Sequence, residues 1–191
     1  MDDDAGQFDP IMPGALLGVL GGGQLGAMFA VAARRMGYRV AVITDTQECP
    51  AARHADRLHV GSYDDSTFLA KAAEGLSVVT FEFENVPAAA GEALKAAVPV
   101  RPHPEVLFTT QSREREKAFL AERGIPCGRH IVVRTEEELR KAVEDIGLPA
   151  VLKTAAFGYD GKGQRMLKEA SGIHDAWVSL GELPCVLEEW I

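Results

Sequence analysis

Two glycine-rich segments and one lysine are the places where this 191-residue chain could do chemistry. Gly158-Tyr159-Asp160-Gly161-Lys162-Gly163-Gln164 gathers glycines, a carboxylate and an amine in one short stretch. Glycines let successive backbone N–H groups converge on an anion. Just upstream, Lys153 ends the apolar run Ala150-Val151-Leu152, where an ammonium is costly to bury unless an anion pairs with it. At about 4 Å and an effective dielectric near 20, one such pairing is worth ~4 kcal/mol before desolvation. That chemistry is polyphosphate binding. The plainer reading is a hairpin tip with a surface lysine and no ligand.

The flanking elements separate this segment from commoner phosphate loops. It joins the strand ending at Lys153 to a second strand at Arg165–Leu167, not to a helix. A Walker A loop is G-x-x-x-x-G-K-[ST] opening a helix, and a Rossmann turn opens one too. A glycine-rich flap between strands can instead close over a triphosphate and offer it backbone N–H groups. The other segment does open a helix. Gly21-Gly22-Gly23-Gln24-Leu25-Gly26 fits G-x-G-x-x-G after the apolar strand Leu16–Leu20. Asp45 follows about twenty residues on, where an NAD-binding protein places its ribose carboxylate. Three readings stand: a dinucleotide site, glycines needed only for strand-to-helix packing, or a site for another phosphorylated ligand. Glu82, Glu84 and Asn85 fall at the carboxyl end of a strand, where ligands gather in open α/β sheets. They either position a substrate or serve as hydrogen-bonded structural groups.

The elements that must hold these residues alternate. Residues 1–14 are acidic and aperiodic, and are expected to be a disordered leader. After the strand Leu16–Leu20, Leu25, Met28, Phe29, Ala32, Ala33 and Met36 follow helical spacing, and Gly37 closes the helix. A strand runs from Arg39 to Ile43, Asp64 and Asp65 can cap a helix to about Glu74, and Val78–Phe83 is a third strand. An alanine-rich helix after Pro87 and an extended piece ending near Pro102 complete a doubly wound, mainly parallel sheet over residues 15–111. Ser112 can cap a charged helix, Arg113–Arg123, and the boundary between domains falls near residues 110–126. From 112 to 191 the order is strand His130–Val133, a helix opened by the capping box Thr135–Glu138, strands Ala150–Lys153 and Arg165–Leu167, helix Ser171–Leu180 and strand Pro184–Ile191. The chain stops inside that last strand, so a truncated chain is expected.

Bulk composition bounds the partners. The chain is 47% hydrophobic and 25% charged, as ordinary soluble globular proteins are. No apolar run approaches the ~18 residues of a membrane span, and the acidic start Met1-Asp2-Asp3-Asp4 is no signal-peptide n-region, so a cytoplasmic protein with no membrane partner is expected. A formal net charge of −8 argues against nucleic acid. Cys49, Cys127 and Cys185 lie far apart and read as reduced thiols. The scattered histidines, His54 and His59 being the nearest pair, suggest no metal site.

Several stretches in order resemble the ATP-grasp superfamily and, within it, the N5-carboxyaminoimidazole ribonucleotide synthetase family. They are Gly21–Gly26, Ala55-Asp56, Val79-Thr80-Phe81-Glu82-Phe83-Glu84-Asn85, Glu116-Lys117, Gly124-Ile125-Pro126, Pro149-Ala150-Val151-Leu152-Lys153-Thr154, Gly158–Gln164 and Leu187-Glu188-Glu189. The resemblance implies a Rossmann-like pre-ATP-grasp domain followed by the first α+β subdomain of an ATP-grasp fold. It also implies ATP- and bicarbonate-dependent carboxylation of aminoimidazole ribonucleotide through carboxyphosphate, in a homodimer using Mg2+. By position, Lys153 resembles the lysine on ATP phosphates, and Arg113 an arginine near ATP. Gly158, Tyr159, Asp160, Gly161, Lys162, Gly163 and Gln164 resemble the flap, while Glu188, Glu189, Trp190 and Ile191 resemble the wall of the adenine and ribose pocket. Tyr159, Asp160 and Lys162 are implied to face the ribonucleotide, with Asp160 and Lys162 as the catalytic candidates. Gly23, Gln24, Leu25 and Glu82 are the other substrate-binding candidates. Phe157 departs from the glycine often found before the flap. The magnesium ligands of the family lie in a second half outside these residues, so the polypeptide alone is expected to be inactive. The competing readings are another ATP-grasp carboxylate–amine ligase, an NAD-dependent oxidoreductase, which leaves Lys153 idle, and a noncatalytic nucleotide-binding module.

Overall fold

Short apolar runs build the first sheet. In a computed structural model that describes residues 9–82, 86–156 and 163–191, β1 (Leu16–Leu20), β2 (Arg39–Thr44), β3 (Arg57–Val60) and β4 (Val78–Phe81) lie parallel in the order β3-β2-β1-β4. A parallel sheet must be covered on both faces. Val19, Val40 and Val42 face Ala30 and Ala33 of α1 (Gln24–Arg35), while Leu20, Ile43 and Val79 face Leu69 of α2 (Ser66–Ala72) and Leu94 of α3 (Ala88–Lys95). Neighbouring residues on one strand therefore serve opposite layers. Asp65 caps α2, its carboxylate accepting from the backbone N–H groups of Thr67 and Phe68.

The chain divides into two units, Met1–Leu107 and Phe108–Ile191, the division falling within α4 (Pro104–Thr110). In the second unit β5 (His130–Val133), β6 (Ala150–Thr154), β7 (Gln164–Leu167) and β8 (Cys185–Glu189) form an antiparallel sheet in the order β5-β8-β6-β7. One face packs Leu152, Leu167 and Leu187 against Leu139 and Val143 of α6 (Glu136–Ile146) and Trp177 of α7 (Ile173–Ser179). Alternation sends Val151, Lys153, Val186 and Glu188 to the other face. α5 (Arg113–Glu122) begins at Ser112, whose hydroxyl accepts from the Arg115 N–H, and Thr135 caps α6 in the same way through the Glu138 N–H. The return bond from the Glu138 carboxylate goes to the N–H of Arg134, one residue before the cap.

Three expectations change. The buried face of α1 consists of Gly26, Ala30 and Ala33, while Leu25, Met28 and Met36 are exposed. The helix lies so close to the glycine turn that a Cβ on Gly26 would sit 2.9 Å from the Gly21 carbonyl oxygen, so small residues face inward. The leader is fastened from Ile11 onward: Tyr38 Oη donates to the Ile11 carbonyl and the Gly14 N–H to the Gly37 carbonyl, both at 2.8 Å. Residues 1–8 lie outside the described residues. A 3-10 turn at Pro50–His54, the edge strand β3 and helix α4 are additional elements. The alternating polar residues Arg57 and His59 hide β3, which has a partner on only one side.

Leu152 is fully buried on the helix-covered face of the second sheet. Leu152→Ala is expected to cost about 2–5 kcal/mol, read as a lower urea midpoint by circular dichroism.

Candidate functional site

The polar face of the second sheet is where charge collects. Lys153 on β6 donates from Nζ to Glu188 Oε2 on β8 at 2.9 Å. The register places Glu188 opposite Val151, so the two side chains meet on a diagonal across one face. The other oxygen of Glu188 meets Lys117 Nζ of α5 at 3.4 Å. The three side chains are 26%, 17% and 14% exposed for Lys153, Glu188 and Lys117 respectively, so each is largely withdrawn from water. One carboxylate thus bridges two ammonium groups from two elements. Burial pushes the Glu188 carboxyl up, but the two lysines outweigh it and hold the group below its usual 4.5.

Arg113 extends the positive edge. It is the first residue of α5; its N–H donates to the Ala155 carbonyl and its guanidinium to the Thr154 carbonyl, each at 2.8 Å. Those carbonyls are at the end of β6, immediately before the glycine-rich connection to β7. Gly163 closes that connection at φ +72, a conformation that favours glycine, and its carbonyl accepts from the Thr154 N–H. Gln164 opens β7 directly opposite Lys153. β6 and β7 therefore pair as neighbouring antiparallel strands on either side of that connection. Phe157, Gly158, Tyr159, Asp160, Gly161 and Lys162 lie outside the described residues.

Glu189 points to the other side of the sheet. Its Oε1 accepts from the Arg129 N–H at 2.7 Å, so this carboxylate is engaged with the start of β5. Trp190 and Ile191 follow the strand and are exposed. Lys117 was not among the residues assigned a role from the sequence. Its signal was present, because Arg113 and Lys117 are four apart and share a helical face. Burial raises the Cys185 thiol to about 11, against the pull of Arg113, and all three cysteines are free. That thiol is protonated at neutral pH and is no nucleophile.

The first unit brings Gly23 and Glu82 together. The Gly23 N–H, at the start of α1, donates to Glu82 Oε1 at 2.8 Å. A Cβ on Gly21 would lie 2.7 Å from Glu82 Oε1, and one on Gly22 would lie 2.6 Å from Cys49 Sγ. The glycines make room for these side chains. A carboxylate already sits on the amide that a pyrophosphate would use, which weighs against a dinucleotide. Gln24 and Leu25 are exposed on the first turn of α1, and Asp45 is exposed just past β2. Glu84 and Asn85 lie outside the described residues.

The ribonucleotide synthetase pre-ATP-grasp domain family matches residues 15–111, and the ATP-grasp domain family matches residues 118–191. The chain is 41% identical over 181 residues to the N5-carboxyaminoimidazole ribonucleotide synthase of Bacillus subtilis, covering 95% of this chain and 48% of that protein. It is 39% identical to the Pseudomonas aeruginosa synthase of the same name over 175 residues, 92% of this chain and 48% of the relative. Among solved structures, N5-carboxyaminoimidazole synthetase of Staphylococcus aureus complexed with ADP superimposes with a TM-score of 0.90 at 32% identity, covering 96% of this chain and 49% of that one. The Aspergillus clavatus synthase in complex with ADP and 5-aminoimidazole ribonucleotide does so with a TM-score of 0.82 at 30% identity, over 94% and 47%. The chain spans about half the length of the curated relatives it matches.

The bridged Glu188 has a consequence for stability. A carboxyl held below its usual 4.5 stabilises the fold above that pH and loses this contribution as pH falls through its folded value. Unfolding midpoints in urea are expected to drop between about pH 5 and pH 3, and Glu188→Gln is expected to flatten that part of the profile. Parallel profiles for the two proteins would contradict it. With a doubly wound parallel sheet, an antiparallel sheet carrying a glycine-rich hairpin, and matches of this extent, the chain belongs to the N5-carboxyaminoimidazole ribonucleotide synthase family.

Proposed function

We propose that this chain supplies the nucleotide-binding part of an ATP- and bicarbonate-dependent carboxylation of 5-aminoimidazole ribonucleotide. The observation that carries the reading is the cationic edge formed by Lys153, Lys117 and Arg113 beside the β6–β7 connection. Two ammonium groups share the one carboxylate of Glu188, and the Arg113 guanidinium lies on the Thr154 carbonyl at the end of the same strand as Lys153, in a chain whose net charge is −8. A polyphosphate matches that local positive charge.

In the proposed reaction bicarbonate oxygen attacks the γ-phosphorus of ATP, and ADP leaves. The resulting carboxyphosphate releases phosphate as its carboxyl group passes to the exocyclic amine, which loses a proton. Lys153 and Arg113 would hold phosphate oxygens and offset the charge that builds on the transferring group. The segment Gly158–Gln164 would cover the nucleotide and exclude water from carboxyphosphate, with Asp160 and Lys162 nearest the chemistry. Glu188–Ile191 would border adenine and ribose. Gly23, Gln24, Leu25, Glu82 and Tyr159 would contact the ribonucleotide, Glu82 through its second oxygen. ATP-grasp enzymes use magnesium with ATP. Among the described residues no three histidine, cysteine or acidic side chains gather to hold a metal, so no step is assigned to a metal held by them.

Calorimetric titration of the chain with ATP and, separately, NAD tests the reading. ATP is expected to bind and NAD not to, and Lys153→Met is expected to weaken ATP binding about tenfold or more. Binding of NAD with no response to ATP would favour an oxidoreductase instead.

A further inference from the structure

Lys153 cannot serve two anions equally, and the sheet already gives it one. Its ammonium lies 2.9 Å from Glu188 Oε2, so a phosphate drawing on that ammonium competes with a protein carboxylate. Glu188 is only 17% exposed, and a largely buried carboxylate left without a partner is strongly unfavourable. The second oxygen of Glu188 is placed 3.4 Å from Lys117, which comes from a different element and is the most buried of the three side chains. The two lysines approach opposite oxygens of one carboxylate. One can withdraw while the other stays.

We propose that Lys117 is a positioning residue for nucleotide binding: it keeps Glu188 paired while Lys153 turns its ammonium toward a bound phosphate. The inference rests on the nucleotide reading above and adds a residue to it. Lys117 does not touch the nucleotide in this account. It removes the cost that Lys153 would otherwise meet in changing partners. The same contact ties α5 to β8, so loss of Lys117 also affects the fold, and stability alone does not separate the two roles. A purely structural Lys117 would change folding stability without being coupled to Glu188 in ligand binding.

The test is a double-mutant cycle on the full chain, with Mg·ADP as the probe in calorimetry and thermal unfolding measured in parallel. Lys117→Met is expected to weaken Mg·ADP binding about tenfold, and Lys117→Arg, which retains the charge, to recover most of that loss. In a Glu188→Gln background, where no carboxylate needs a partner, Lys117→Met is expected to change affinity by less than about twofold. The inference is overturned if Lys117→Met lowers the melting temperature but leaves affinity within twofold of the unsubstituted chain. It is equally overturned if the loss is the same with and without Glu188. Failure of the unsubstituted chain to bind Mg·ADP would instead remove the nucleotide reading, and this inference with it.

Discussion

A single carboxylate organises the charged face of the second unit. Glu188 is held by ammonium groups from β6 and α5, and these contacts fix three elements to one another as well as three charges. A largely buried ion pair is weak evidence for stability, because removing the charges from water costs about as much as their attraction returns. A group of this kind on a sheet face otherwise lined by Val151 and Val186 is better explained by what its surplus charge can bind. Two lysines on one glutamate leave room for an anion; a matched pair would not. The location adds to this, since Arg113 holds the last carbonyls of β6 and Gln164 opens the returning strand opposite Lys153.

The same principle operates with the opposite outcome in the first unit. There a glycine turn opens a helix, and its positive end invites an anion. Glu82 occupies it, accepting from the Gly23 N–H, and the glycines are small because Glu82 and Cys49 crowd them. A turn that looks like a phosphate site thus has its own carboxylate in place. The first glycine turn carries a carboxylate, whereas the strand that leads to the second segment carries a lysine, Lys153, beside its last residue and has Arg113 on its last carbonyl.

This contrast marks what the sequence makes legible. Strand and helix order could be read because apolar runs and helical spacing respond to burial, and the caps at Asp65, Ser112 and Thr135 respond to local hydrogen bonding. Lys153 could be read as needing an anion because it ends a buried strand. Its partner could not, since Glu188 is thirty-five residues away and only the pairing of β6 with β8 brings the two together. The buried face of α1 was misleading for a related reason: Leu25 and Met28 are larger than Ala30 and Ala33, yet closeness to the glycine turn admits only the small ones. Edge strand β3 was lost because half-exposed positions carry polar residues. The family resemblance supplied what spacing could not, a set of roles attached to Arg113, Lys153 and the Gly158–Gln164 segment.

The central claim is that the nucleotide belongs to the second glycine-rich segment and its charged sheet face rather than to the first. Amide-resolved nuclear magnetic resonance during titration with Mg·ADP tests this most directly. The account predicts that the shifted resonances concentrate on β6, β7, β8 and the first turn of α5, with Gly21–Gly26 nearly unmoved. Shifts concentrated on Gly21–Gly26, with the signals of Lys153 and Glu188 unchanged, would contradict it.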